Sequence, residues 1–178
     1  MVDRHRTKKK HERAYVDIFI SWFNHTYQTN FKVICEPDPP EAVLLSGKTI
    51  TWMEVTTAFW CSDYARDLYS YATPGEKYKP VDKSEPHQNM DIEFSKNFVD
   101  VVKKKLEKDR YIETKELLGP GYLIVAIMHP LFDKQTINYM EDAWSRRIIN
   151  DLGCFKSIYI IFTEWDKKIV LMWPSDRL

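Results

Sequence analysis

Residues 35–60 read CEPDPPEAVLLSGKTITWMEVTTAFW. A proline-rich corner comes first, then the apolar run Ala42-Val43-Leu44-Leu45, a turn at Ser46-Gly47-Lys48, and a longer segment from Thr49 rich in β-branched residues. Pro37, Pro39 and Pro40 forbid regular pairing, because proline has no N–H to give to a ladder. The two apolar segments that follow, joined through a glycine, read as a β-hairpin. Side chains alternate between the faces of a strand, so Ile50, Trp52, Glu54 and Thr56 share one face and Thr51, Met53 and Val55 the other. Glu54 therefore stands in line with large apolar neighbours, where a carboxylate is costly unless a cation or hydrogen bonds compensate it. The hairpin also carries Glu41 or Asp38 toward Glu54 at one end of the sheet. Two carboxylates held in that way are a seat for a divalent cation.

On the N-terminal side, Val16, Phe19, Ile20, Phe23 and Tyr27 recur at helical spacing, which predicts an amphipathic helix over residues 9–28. Glu12, four residues before Val16, falls on the buried side of that helix. It is either a first-turn acid favoured by the helix dipole or an acid pointing at the sheet edge. Residues 31–35 alternate well enough for a first strand. Beyond the hairpin, residues 62–72 read as a helix with Ser62 as its N-cap, and residues 73–90, polar with three prolines, as a long loop. A second clear helix is expected over 91–108, with Ile92, Phe94, Phe98, Val101, Val102 and Leu106 inward. Lys103, Lys104 and Lys105 fall in its last turns, where they complement the dipole without any ligand. The uninterrupted apolar run at 122–128 has the pattern of a central strand covered on both faces. Asp133 caps a helix expected to reach Leu152, with Ile137, Met140, Trp144, Ile148 and Leu152 as its stripe and Gly153 closing it. Residues 157–163 and 168–173 form a last hairpin about Glu164, Trp165 and Asp166. This order predicts a mixed sheet flanked by helices, in the α/β or α+β class.

With 178 residues the chain is expected to form one domain over residues 1–178. Its 26 basic and 26 acidic residues cancel, which excludes the global basic field of many nucleic-acid binders. The charge is uneven, however: residues 1–13 hold Arg4, Arg6, Lys8, Lys9, Lys10 and Arg13 against Asp3 and Glu12. Such a segment is a solvated helix start, a terminal tail, or a phosphate-contacting arm. Cys35, Cys61 and Cys154 are widely spaced with no paired CxxC, so buried free thiols in a reducing compartment are expected. No apolar run reaches the roughly 20 residues needed to cross a bilayer. The expected location is cytoplasmic, without a membrane partner.

Helix, acid-bearing hairpin, helix and buried strand is the order in which the PD-(D/E)XK nuclease superfamily builds its core. The run Pro37-Asp38-Pro39-Pro40-Glu41, with Trp52-Met53-Glu54-Val55-Thr56 after the turn, resembles that family's signature hairpin. The resemblance implies a restriction-endonuclease-like fold and an endonuclease, a hydrolase of phosphodiester bonds in nucleic acid, DNA in preference to RNA. It makes Glu54 the first acid of the (D/E)XK element and Glu41 the counterpart of the family's Asp, with Asp38 the rival for that role. Glu12 matches an acid that many members carry on the first helix. The metal set it implies is Glu41 or Asp38, Glu54 and the carbonyl of Val55, holding magnesium or, in its place, manganese. A homodimer is compatible with it.

The chain departs from the pattern at Thr56, where the family has a lysine that positions or activates the attacking water. A threonine hydroxyl cannot supply that charge. A lysine from the following helix is the alternative, with Lys96 and Lys103 as candidates. The competing readings are a degenerate module of the same fold that binds nucleic acid or a protein partner without cutting, and an unrelated α/β protein whose Glu41 starts a strand and whose Glu54 is a hydrogen-bonded acid. The five histidines show no zinc spacing, and neither a P-loop nor GxSxG is present.

Overall fold

The long strand Thr49–Phe59 is the axis of the molecule, because it pairs with an antiparallel neighbour on one side and a parallel one on the other. The computed structural model describes residues 3–82, 89–147, 149, 151–164 and 167–174. Its strands are β1 (Lys32–Cys35), β2 (Ala42–Ser46), β3 (Thr49–Phe59), β4 (Gly121–Met128), β5 (Phe155–Glu164) and β6 (Lys167–Trp173). They lie in one six-stranded mixed sheet in chain order. β1, β2 and β3 form an antiparallel meander, β3, β4 and β5 run parallel, and β6 returns antiparallel at the edge. Parallel neighbours need crossovers. The β3–β4 crossover holds α2 (Ser62–Ala72), α3 (Met90–Leu106), a 3-10 turn at Asp109–Tyr111 and α4 (Ile112–Leu118), and the β4–β5 crossover holds α5 (Lys134–Arg146). The predicted class, a mixed sheet flanked by helices, is the observed one.

Each face of the sheet has its own apolar layer. On one, Tyr15, Val16 and Phe19 of α1 (Arg4–Tyr27) cover Met53, Val55, Ile124, Ala126 and Ile161. On the other, Phe94, Phe98 and Val102 of α3 and Met140 and Trp144 of α5 cover Trp52, Leu123, Val125, Ile158 and Ile160. The residues of β4 divide alternately between the two layers, which is why its sequence reads as unbroken apolar. Among the described residues no helix is long and apolar enough to cross a membrane.

Several local expectations are corrected. α1 begins at Arg4, capped by the Asp3 carboxylate accepting from the Arg6 N–H at 2.9 Å, so Glu12 lies about two turns in. The dipole therefore does not account for that acid. The basic segment is a helix surface, not a tail, and four of its cations are paired: Arg4 with Glu76, Lys8 with Glu12, Lys9 with Asp38, and Arg13 with Asp17 and Glu36. α2 is capped by Cys61, whose sulfur accepts from Tyr64 N–H, and Ser62 is its first residue. On α3, Ile92 is exposed and Val99 takes the inward place. α5 stops at Arg146, and Gly153, at φ +61°, belongs to the turn before β5. Leu152 still packs against the α3–α5 layer from outside the helix. Cys154 is buried, but Cys35 is exposed on β1. The long loop is irregular through residue 82. Residues 83–88, Ile148, and Trp165 and Asp166, where a turn is expected, lie outside the described residues.

Trp52 is the keystone of the α3-side layer. Fully buried, it stacks on Tyr111 with ring centroids 5.8 Å apart and donates its indole N–H to the Gly119 carbonyl at 2.8 Å. Gly121 lies under the ring: a Cβ there would stand 2.4 Å from the indole carbons. Gly121→Ala is expected to overpack this contact and lower unfolding free energy by roughly 2–3 kcal/mol. Urea denaturation checks it, and a variant as stable as wild type contradicts this packing.

Candidate active site

The hairpin ladder stops at Ala42 opposite Met53, while β3 continues alongside β4 to Phe59. From Glu54 onward, no strand among the described residues pairs with the other edge of β3. At this notch acids from the strand ends and from both faces of the sheet come close enough to act on one another's charge. Glu54 comes from β3, Glu41 from the residue before β2, Asp38 from the proline corner, and Glu12 from α1.

Glu54 is completely buried on the α3 face. Its Oε1 accepts three hydrogen bonds: from Lys105 Nζ at 2.5 Å, Arg110 Nη2 at 2.8 Å and the Tyr111 hydroxyl at 2.7 Å. Oε2 is buried with no hydrogen-bond partner among the described residues. Burial, and then the charge of Glu54, push the Tyr111 hydroxyl far above its ordinary range, so it stays a donor. Thr56, two positions on, is half-buried, and its hydroxyl makes no hydrogen bond to Glu54 among the described residues.

Around this centre the acids crowd one another. Burial, and then the charges of Glu12, Glu54 and Asp38, raise the Glu41 carboxyl to about 7. Glu12 is raised by burial, against the opposing pull of Lys8, whose Nζ lies 3.1 Å away. Asp38 is the outermost acid, 3.7 Å from Lys9, and it shares a cleft of about 20 Å³ with Glu41.

The lysine assignments need correction. Lys96 is exposed in a surface cleft between α3 and α5, and Lys103 pairs with Glu107 at 3.6 Å. The lysine on Glu54 is Lys105, which sequence reasoning treated as a dipole-complementing residue. Its spacing held the signal: it lies three residues after Val102 and seven after Phe98, on the buried stripe of α3. Arg110 and Tyr111, also missed, arrive on the short 3-10 turn, which has no periodicity to read.

Among the described residues no three His, Cys, Asp or Glu side chains converge as a metal cage. Magnesium, however, is usually held by only one or two carboxylates, with waters completing the shell. The unpartnered Oε2 of Glu54 and the raised Glu41, which feels the Glu54 charge, are a donor set of that size that a cation would relieve. The Val55 carbonyl belongs to the same notch, on the strand whose free edge begins there. Comparison of the chain with protein-family models, curated proteins and solved structures finds no match.

The Glu41 carboxyl sets a pH dependence. Its folded value of about 7 exceeds the ordinary 4.5, so between the two the folded chain holds a proton that the unfolded chain has lost. Stability then falls as pH rises through that window, by on the order of 3 kcal/mol in all. Glu41→Gln removes the penalty: the variant is expected to exceed wild type in urea midpoint at pH 8 and to lose the advantage by pH 4. Wild type and variant that track each other across the range would show the acids to be unstrained.

Proposed function

We propose that the chain is a divergent PD-(D/E)XK-type nuclease, a metal-dependent hydrolase of phosphodiester bonds in nucleic acid, with DNA the preferred substrate. The observation that carries this reading is the contact of Lys105 Nζ with Glu54 Oε1 at 2.5 Å. It brings back, from α3, the ammonium that Thr56 removes from the motif position. The order α1, antiparallel meander, helix, parallel strand also supports it.

In this reading Glu54 and Glu41, with the Val55 carbonyl, hold magnesium or manganese, and Asp38 borders the ligand set. The metal supplies charge neutralisation for the phosphate oxygens and lowers the pKa of water. Glu12, raised by burial, stands further out and takes up a proton. Lys105 holds the carboxylate in place and presents a positive charge where the attacking water and the phosphate meet. Thr56 lines the wall beside Glu54 without a charged role.

A second reading is favoured by one specific feature. Lys105 and Arg110 both lie on the same oxygen of Glu54, so that charge is compensated without metal. A degenerate module that binds nucleic acid or a protein partner without cutting fits this equally.

The two separate in one set of assays. Plasmid, linear duplex and single-stranded substrates are incubated with magnesium or manganese, and melting is followed with and without metal. The nuclease reading expects cleavage, a fall of about 10²–10⁴ in rate for Lys105→Gln, and loss of both cleavage and metal-induced stabilisation for Glu54→Gln. A metal at ten times its Kd adds about 1.4 kcal/mol, which melting detects. Cleavage by Glu54→Gln equal to wild type sinks the assignment. Metal stabilisation without any cleavage favours the binding module.

A further inference from the structure

The three donors on Glu54 are not equivalent. A carboxylate oxygen offers about two lone-pair directions, yet Oε1 takes three donors while Oε2 takes none. Tyr111 is fully buried and locked against Trp52. Lys105 is 15% exposed and fixed by the α3 stripe, whereas Arg110 is 42% exposed and reaches in from the surface. Arg110 is therefore the donor that can leave without crossing the core. Its guanidinium already lies 4.9 Å from the centre of the Tyr111 ring, an aromatic rest that does not depend on Glu54.

Beside it stands Lys108. Among the described residues no carboxylate lies within ion-pair distance of its ammonium. Burial, and then the neighbouring charges of Lys105 and Arg110, push that ammonium below its usual range. Two neighbouring cations, Lys108 with no carboxylate partner among the described residues and Arg110 able to turn outward, suit a phosphate. The guanidinium fork matches phosphate oxygens in pairs, and lysine adds a point charge.

We propose that Arg110 is an exchangeable counter-ion: it holds Glu54 Oε1 while the acids are without a divalent ion, yields that oxygen when one binds, and turns to grip the substrate phosphodiester beside Lys108. The inference rests on the metal-site reading above. With Lys105, Arg110 and a divalent ion all on Glu54, four positive charges would face one carboxylate. Repulsion expels the least buried of them, and the substrate phosphate receives it. Arg110 thus competes with the metal and assists the substrate, so its removal moves the two affinities in opposite directions. Loss of a bystander charge shifts both affinities in the same senses, so Arg110→Lys, which keeps the charge and loses the fork, separates the two.

The test uses the full chain. Manganese binding is measured by calorimetry, and binding of a short DNA duplex in calcium buffer by anisotropy, for wild type and Arg110→Gln. The expected result is about tenfold tighter manganese and about tenfold weaker duplex, each equivalent to about 1.4 kcal/mol. Manganese bound by wild type, and no tighter by Arg110→Gln, overturns the exchange and leaves the metal site standing. No manganese bound by either protein overturns both. If Arg110→Gln fails to fold by circular dichroism, Arg110→Lys carries the test: it keeps the charge without the fork, so manganese affinity stays near wild type and duplex affinity drops several-fold. Unchanged duplex affinity in Arg110→Lys overturns the phosphate contact.

Discussion

A carboxylate on the central strand of a sheet, sealed from water, is the constraint from which much of this molecule follows. The effective penalty for burying one ion is several kcal/mol, and it is met only by partners with good geometry. Glu54 carries that penalty on β3 and obtains Lys105, Arg110 and Tyr111 in return. Meeting it fixes the surroundings. Lys105 must come from the inward stripe of α3, Tyr111 must be held at a set depth, and the chain between them must turn tightly enough to deliver both. The stack of Tyr111 on Trp52, the Trp52–Gly119 hydrogen bond and the bare backbone of Gly121 beneath the indole are the packing that holds this turn against the sheet.

What the sequence made legible was whatever periodicity encodes. The alternation of 49–56 placed Glu54 on the face of Trp52, and the layers on either side of the sheet agree. The apolar run of β4 announced a strand covered twice, and the stripes of α1, α3 and α5 announced their faces. Ends of elements were less legible. α1 starts earlier because Asp3 caps it, and a lone Asp before a basic run does not look like a cap. Among the site residues, Glu54 and Glu12 were found as acids on apolar faces, since a charge out of pattern is conspicuous. Lys105 was hidden for the opposite reason: in a run of three lysines at a helix end, a charge is in pattern. Arg110 and Tyr111 sit on one turn of 3-10 helix and their partners are more than fifty residues away, beyond the reach of any local pattern.

Charge placement explains why neighbouring acids are tolerated at all. Three of the four have a cation of their own: Lys8 for Glu12, Lys9 for Asp38, Lys105 and Arg110 for Glu54. Glu41 is the exception. It has no close cation of its own among the described residues, and the cluster's strain collects there as a carboxyl raised to about 7. A proton relieves that strain in acid. Under the proposed nuclease reading a divalent ion would relieve it at neutral pH, and the two would then compete for Glu41.

The location of the notch follows from strand lengths. β2 begins only at Ala42, opposite Met53, because the prolines before it cannot extend the ladder, while β3 runs on for six residues beside β4. Past Met53 the sheet has lost a strand's width. Through that gap an acid from α1, on one face, and cations from α3 and the 3-10 turn, on the other, come within electrostatic reach of the same carboxylate, as the mutual influence of Glu12, Lys105 and Glu54 records. A longer β2 would close the gap and wall the two faces apart. The proline corner therefore does more than interrupt the ladder: by delaying the start of β2 it lets both layers of the fold contribute to one site.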